Sequence, residues 1–135
     1  MTGITNEARR LGLKVTVSTA MFPSGHPATR EGLVYDESRW DGKTCLEYTP
    51  DGKMLDIRED KKKVGAFLNP VRKDVRKFAL SIVREIVRNY DVDAYALDYC
   101  RYPGDDSDFS ADSRKAFEHY LGKKVRNFPD DIFTW

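Results

Sequence analysis

The chain has 135 residues, 40% hydrophobic and 12% aromatic, which is apolar material enough for one domain with a core and excludes a disordered chain. Its 23 basic and 22 acidic side chains leave a net charge of +1, so no global field draws it to nucleic acid or to a membrane surface. No apolar run approaches the roughly 18 residues of a membrane span, so no membrane insertion is expected; residues 1–7 lack the basic and apolar regions of a signal peptide and give no cellular address.

Ile4, Ala8 and Leu11 fall at helical spacing, with Gly12 placed to end the helix. Residues 14–20 (KVTVSTA) alternate and are β-branched, which predicts a strand that stops at Pro23, Gly25 and Pro27 and leaves His26 in the loop beyond it. Residues 28–64 are irregular and polar, hold Trp40 and carry a hairpin turn at residues 50–53; so long an excursion usually serves function or covers a site. Residues 65–68 read as a second short strand, and Asn69-Pro70 as a cap followed by proline in the first helical turn.

Val71, Val75, Phe78, Ile82, Ile86 and Tyr90 then draw one apolar stripe, while Arg72, Lys73, Arg76, Lys77, Arg84 and Arg88 line the other face, which reads as a solvated surface rather than a nucleic-acid site. A strand over residues 94–98 ends at Asp98, an acidic loop follows, and Ser110 caps a last helix that closes at Gly122. Strands alternating with helices imply a parallel sheet. A closed eight-stranded barrel takes about 250 residues, so the chain reads as α/β, a fragment of a (β/α)8 TIM barrel holding about two and a half βα units with a long βα loop, one partial domain over residues 1–135.

Ala94, Ala96 and Asp98 share one strand face, and Tyr95 and Leu97 the other. With the small side chains inward, Asp98 is the first polar group at the carboxyl end of the strand, where barrel active sites lie. Arg101 stands near enough in sequence to hold the carboxylate ionised, and Tyr99 and Tyr102 offer flat faces and hydroxyls to a sugar. His26 is a further sugar contact by its place in a loop; Asn69 reads first as a cap and then as a substrate contact; Trp40 reads as a core cover or a stacking platform. Asp105, Asp106 and Asp108 match no closed calcium loop, and no Gly-rich phosphate loop follows a strand, so neither metal nor cofactor is expected.

The segments over residues 68–75 and 90–103, with Asp108-Phe109-Ser110 and Phe117-Glu118, resemble the family 10 glycosylhydrolases, TIM-barrel relatives of the α-amylase type. That resemblance implies a retaining glycoside hydrolase acting on an oligosaccharide or polysaccharide, with Asp98 as nucleophile and an export route for the parent protein. Glycoside hydrolysis needs two carboxyl groups. Glu118 lies on an outer helix, Glu37, Glu47, Asp56 and Glu59 lie in the long loop, and the resemblance puts the acid/base beyond Trp135, so the chain alone is expected to be inactive. The alternative is a non-catalytic glycan-binding or cell-surface module on the same scaffold. Open barrel edges would also favour oligomers.

Overall fold

The computed structural model describes residues 2–132. The chain runs through α1 (Thr2–Arg10), β1 (Thr16–Ala20), a single turn α2 (Leu33–Asp36), β2 (Leu46–Tyr48), β3 (Met54–Asp56), α3 (Lys73–Asn89), β4 (Ala94–Asp98) and α4 (Ala111–Leu121). Short 3-10 turns occupy Ser38–Trp40 and Ile57–Glu59. The domain is therefore mixed α/β.

Strands β1 and β4 pair in parallel, Thr16 opposite Ala94 through Ala20 opposite Asp98. Their ends are fastened by charge. Arg9, in the last turn of α1, donates to Asp91 at 2.8 and 2.9 Å and to Asp93 at 3.1 Å, and Asp93 also accepts the Val15 amide at 2.8 Å. That amide, with Arg9 behind it, holds the Asp93 carboxyl below its ordinary pKa. On one sheet face Thr19 and Tyr95 share a hydroxyl–hydroxyl bond of 2.5 Å. The other face, carrying Thr16, Ser18, Ala20, Ala94, Ala96 and Asp98, is open to solvent.

Strands β2 and β3 form the hairpin expected around residues 50–53, closed by Thr49 N–H to Lys53 O with Gly52 at φ 78°. The core lies beside this hairpin and not between the parallel strands and the helices. Phe67, Leu68, Ala66, Ile57, Val34, Cys45 and Val75 are fully buried in it, with Trp40 and Ala79 nearly so. Both cysteines are free; Cys45 is buried and Cys100 exposed.

Residues 65–69 organise that core. Ser24 N–H reaches Ala66 O, Ala66 N–H reaches Gly25 O and Leu68 N–H reaches Phe22 O on one side; Cys45 N–H reaches Phe67 O and Asn69 N–H reaches Lys43 O on the other. The bridges Pro23 to Phe67 and Thr44 to Leu68 are both antiparallel. This corrects the expected second strand of a parallel sheet: the segment is extended, but its neighbours are residues 22–25 and 43–45 and run against it. The α/β class holds, while the described residues contain one parallel pair and one antiparallel pair in place of successive βα units, so a TIM-barrel fragment is not what the structure shows.

Helix α3 follows its stripe, with Val75, Ala79 and Ile86 buried, but it begins at Lys73. Asn69 does not cap it; its Oδ1 accepts the Val71 amide at 3.0 Å and builds the turn leading in. Helix α4 begins as expected at Ser110, whose Oγ accepts Ser113 N–H at 3.3 Å, and ends at Gly122 with φ 68°.

The two layers differ in stability. Phe67→Ala is expected to cost about 3–5 kcal/mol, since it opens a cavity in a fully buried site, whereas Leu97→Ala on the exposed sheet stays within about 0.5 kcal/mol. Urea unfolding of the two variants measures the contrast.

Candidate functional site

Directly after β4, Tyr99 adopts a left-handed φ of 47°, a conformation costing a bulky residue about 1–2 kcal/mol, and this turns the chain at the strand tip. Its ring pays back part of that cost by packing edge-on against Phe67, centroids 6.0 Å apart. Asp98 is exposed, and its Oδ1 accepts only the Tyr99 amide at 2.8 Å. Arg101 does not pair with it. The guanidinium lies over the Tyr99 ring at 5.2 Å, and Nη1 donates to the carbonyls of Tyr102 and Pro103 at 2.9 and 3.2 Å. The expected role of Arg101 as a partner for Asp98 is thus replaced by a role in stiffening the loop.

Tyr102 leans against the start of α4 while staying 36% exposed. Burial first of all raises its phenol pKa, and a bond with Ser113 opposes the rise. Beside it stands Asp108, the hub of the region. One carboxylate oxygen accepts Asn69 Nδ2 at 2.5 Å, Ser110 Oγ at 2.5 Å and Ser113 Oγ at 2.6 Å, and the other accepts Leu46 N–H at 2.5 Å. Four donors from three segments satisfy one charge, so Asp108 is a structural knot tying α4, the α3 approach and β2 together.

Asn69, one of its donors, is 1% exposed, which removes it from contact with a ligand. Trp40 is 3% exposed, with Phe78 4.7 Å from its ring and the Arg39 guanidinium 4.7 Å over it. It presents no free face, and the core-cover reading describes its position. His26 is exposed and its backbone pairs with Glu31; no side-chain interaction ties it to the β4 tip. The structure therefore gathers Asp98, Tyr99, Arg101 and Tyr102 in one loop and separates them from Trp40 and His26 in role.

Sequence reasoning passed over a buried ion pair. Glu47, on β2, is 3% exposed, and Lys63 Nζ lies 2.9 Å from its Oε1 while directing hydrogen bonds at Asp106, 2.7 and 2.9 Å away. Burial raises the Glu47 pKa and Lys63 pulls it back. A cavity of about 770 Å³ opens beside the pair, lined by Glu47, Asp60, Asp105, Asp106 and Asp130 with Tyr48, whose hydroxyl donates to Asp130. Among the described residues no group of three His, Cys, Asp or Glu side chains is disposed to hold a metal.

On the opposite side of the Asp108 knot, the start of α3 and the flank of α4 enclose a groove of about 870 Å³. Its two acids are spent. Asp74 accepts from Lys43 at 2.9 Å and from Arg72 at 3.3 Å, which lowers its carboxyl to about pKa 2, Lys43 being the larger cause; Asp112 is paired with Arg72. Lys73, Lys77 and Lys115 make no ion pair among the described residues. The groove continues past Lys115 and His119 to Lys123 and Lys124, where Glu118 binds Lys124 at 2.8 Å and Arg114 at 2.9 Å and is held near pKa 2. Glu118 is thus engaged in tying α4 to the segment after it. The groove was missed because α4 carries only scattered bases; only its pairing with α3 concentrates them.

With this geometry in place, comparison with known proteins gives a specific result. A protein of Niallia circulans described as S-layer-related is 36% identical over 132 residues, covering 95% of this chain. The chain spans only 8% of the length of that relative. No family profile matches the chain, and no solved structure matches it. These findings overturn the glycoside hydrolase expectation and the resemblance to family 10 glycosylhydrolases: the likeness found is to a protein described as S-layer-related.

Two outcomes follow from the charge geometry. Lys63→Ala should destabilise the chain by about 3–5 kcal/mol by stranding Glu47, with much of the loss recovered when Glu47→Gln is added, as urea titration will show. Asp74 and Glu118 have folded pKa values below their ordinary 3.8 and 4.5, so the stability they add is present above those values and lost as pH falls toward 2. Melting temperatures between pH 5 and pH 2 should fall less steeply in Asp74→Asn/Glu118→Gln than in the native chain.

Proposed function

We propose that this chain is a non-catalytic module of a long cell-surface polypeptide and that it engages a glycan of the cell envelope without cleaving it. The observation that carries the reading is the 36% identity to an S-layer-related protein over nearly the whole chain. The matched stretch is 8% of that relative's length, which fits one module of a long polypeptide, and the site chemistry fits a module that binds. Asp98 stands in solvent without a cationic partner, whereas acid–base work on a glycosidic bond requires two carboxyl groups with environments that separate their pKa values. Asp108, the best-connected carboxylate nearby, has its oxygens taken by four donors and is closed to a substrate.

The experiment is co-sedimentation of the purified chain with envelope preparations from Niallia circulans, scored together with release of reducing sugar. The chain should pellet saturably, release no sugar, and do both equally well as Asp98→Asn. Absence from the pellet, or sugar release abolished by Asp98→Asn, overturns the proposal.

A further inference from the structure

The whole chain has a net charge of +1, yet the track formed by the α3–α4 groove and its continuation holds Lys73, Lys77, Lys115 and Lys123, which make no ion pair among the described residues, and His119 among them. The acids that line it, Asp74, Asp112 and Glu118, are each already bound to other cations. The positive excess is therefore local and unspent.

Folding alone does not favour this arrangement. Lys73 opens α3, and with Arg72 as the N-cap it places positive charge at the end of the helix where the macrodipole is already positive. Lys73 and Lys77 are four residues apart on one helix and repel each other. Both bases face the groove that Lys115 enters from α4. A surface that served stability would carry acids at these positions.

Resting on the reading of the chain as an envelope module, we infer that the α3–α4 groove is its polymer-binding surface and that the polymer is an anionic glycan, bearing carboxylate groups along its chain. Apart from His119, no aromatic side chain lines either part of the track, so it offers no stacking platform of the kind that single-stranded nucleic acids use. Its free cations are lysines, compact point charges that follow spaced anions without demanding the planar, bidentate geometry that arginine imposes. Attraction of this kind weakens with salt.

The test uses the whole chain and a decamer of galacturonic acid, with a chitin oligomer as a neutral probe and a dT decamer as a nucleic-acid probe. Calorimetry should give saturable binding of the uronate that weakens between 50 and 200 mM salt, about as expected for several neutralised charges, and no binding of the neutral oligomer. Lys73→Gln/Lys77→Gln/Lys115→Gln removes three exposed charges and should weaken uronate binding by about tenfold or more. Lys14→Gln/Lys61→Gln/Lys62→Gln removes the same charge elsewhere and should change it less than about twofold. Equal losses in both triples, no saturable uronate binding, or tighter binding of the dT decamer overturns the inference. Envelope co-sedimentation separates the two proposals: if the groove triple still pellets with envelopes, the groove is wrong and the module reading stands; if the native chain binds uronate but not envelopes, the groove stands and the module reading falls.

Discussion

The architecture depends on one extended segment, residues 65–69, held on one side by residues 22–25 and on the other by residues 43–45. Five backbone hydrogen bonds clamp it, and Ala66, Phe67, Leu68 and Asn69 are each no more than 1% exposed. A segment without polar escape must have every amide and carbonyl paired, and this pairing recruits residues 22–25 and 43–45 into register. At its end Asn69 spends its amide on Asp108, which gathers Ser110, Ser113 and the Leu46 amide. The start of α4 is thereby fixed relative to the approach of α3. The groove between the two helices is thus a remote consequence of burying Phe67 and Leu68.

Charge is distributed by a consistent rule. Acids drawn into or against the fold have partners: Asp108 neutral donors, Glu118 Arg114 and Lys124, Asp93 Arg9 and a backbone amide, and Glu47 the charge of Lys63, although its buried Oε1 accepts no hydrogen bond. Asp108 takes neutral donors and no base, so near-equality of acids and bases over the chain is compatible with a surface where bases remain. Desolvation explains the direction. A carboxylate drawn into the interior needs donors, whereas a lysine can keep its ammonium in water and remain outside.

What the sequence made legible was what depends on neighbours in the chain. The α3 stripe, the Ser110 cap, the Gly122 stop and the turn at residues 50–53 are local, and each stands where the periodicity and turn chemistry put it. Residues 65–68 were legible as extended but not as antiparallel, because strand direction is set by partners from residues 22–25 and 43–45 in stretches with no period of their own. Asn69 failed as a cap because its Oδ1 accepts the Val71 amide in the turn before the helix, while its Nδ2 is turned to Asp108, 39 positions away. The buried pair of Glu47 and Lys63 was illegible because neither residue differs in sequence from the solvated charges around it. Lys115 and His119 were illegible as neighbours of Lys73 because only the folded chain, with Arg72 paired to Asp112, sets the start of α4 beside the start of α3.

The strand tip shows how a sequence signal can be correct in geometry and misleading in chemistry. Small alanines and a terminal Asp do share one face of β4, and that face pairs in register with Thr16, Ser18 and Ala20 of β1. Alternation fixes where a side chain points, but it is silent on what surrounds the tip. Here water surrounds it, Arg101 is folded onto Tyr99, and nothing desolvates the carboxylate. A nucleophile gains its power from a dry, charged enclosure that stabilises the developing transition state, and a solvated Asp has none. The same solvation is harmless to recognition of a polymer, where exposed charge and an open track are what a long, hydrated ligand requires.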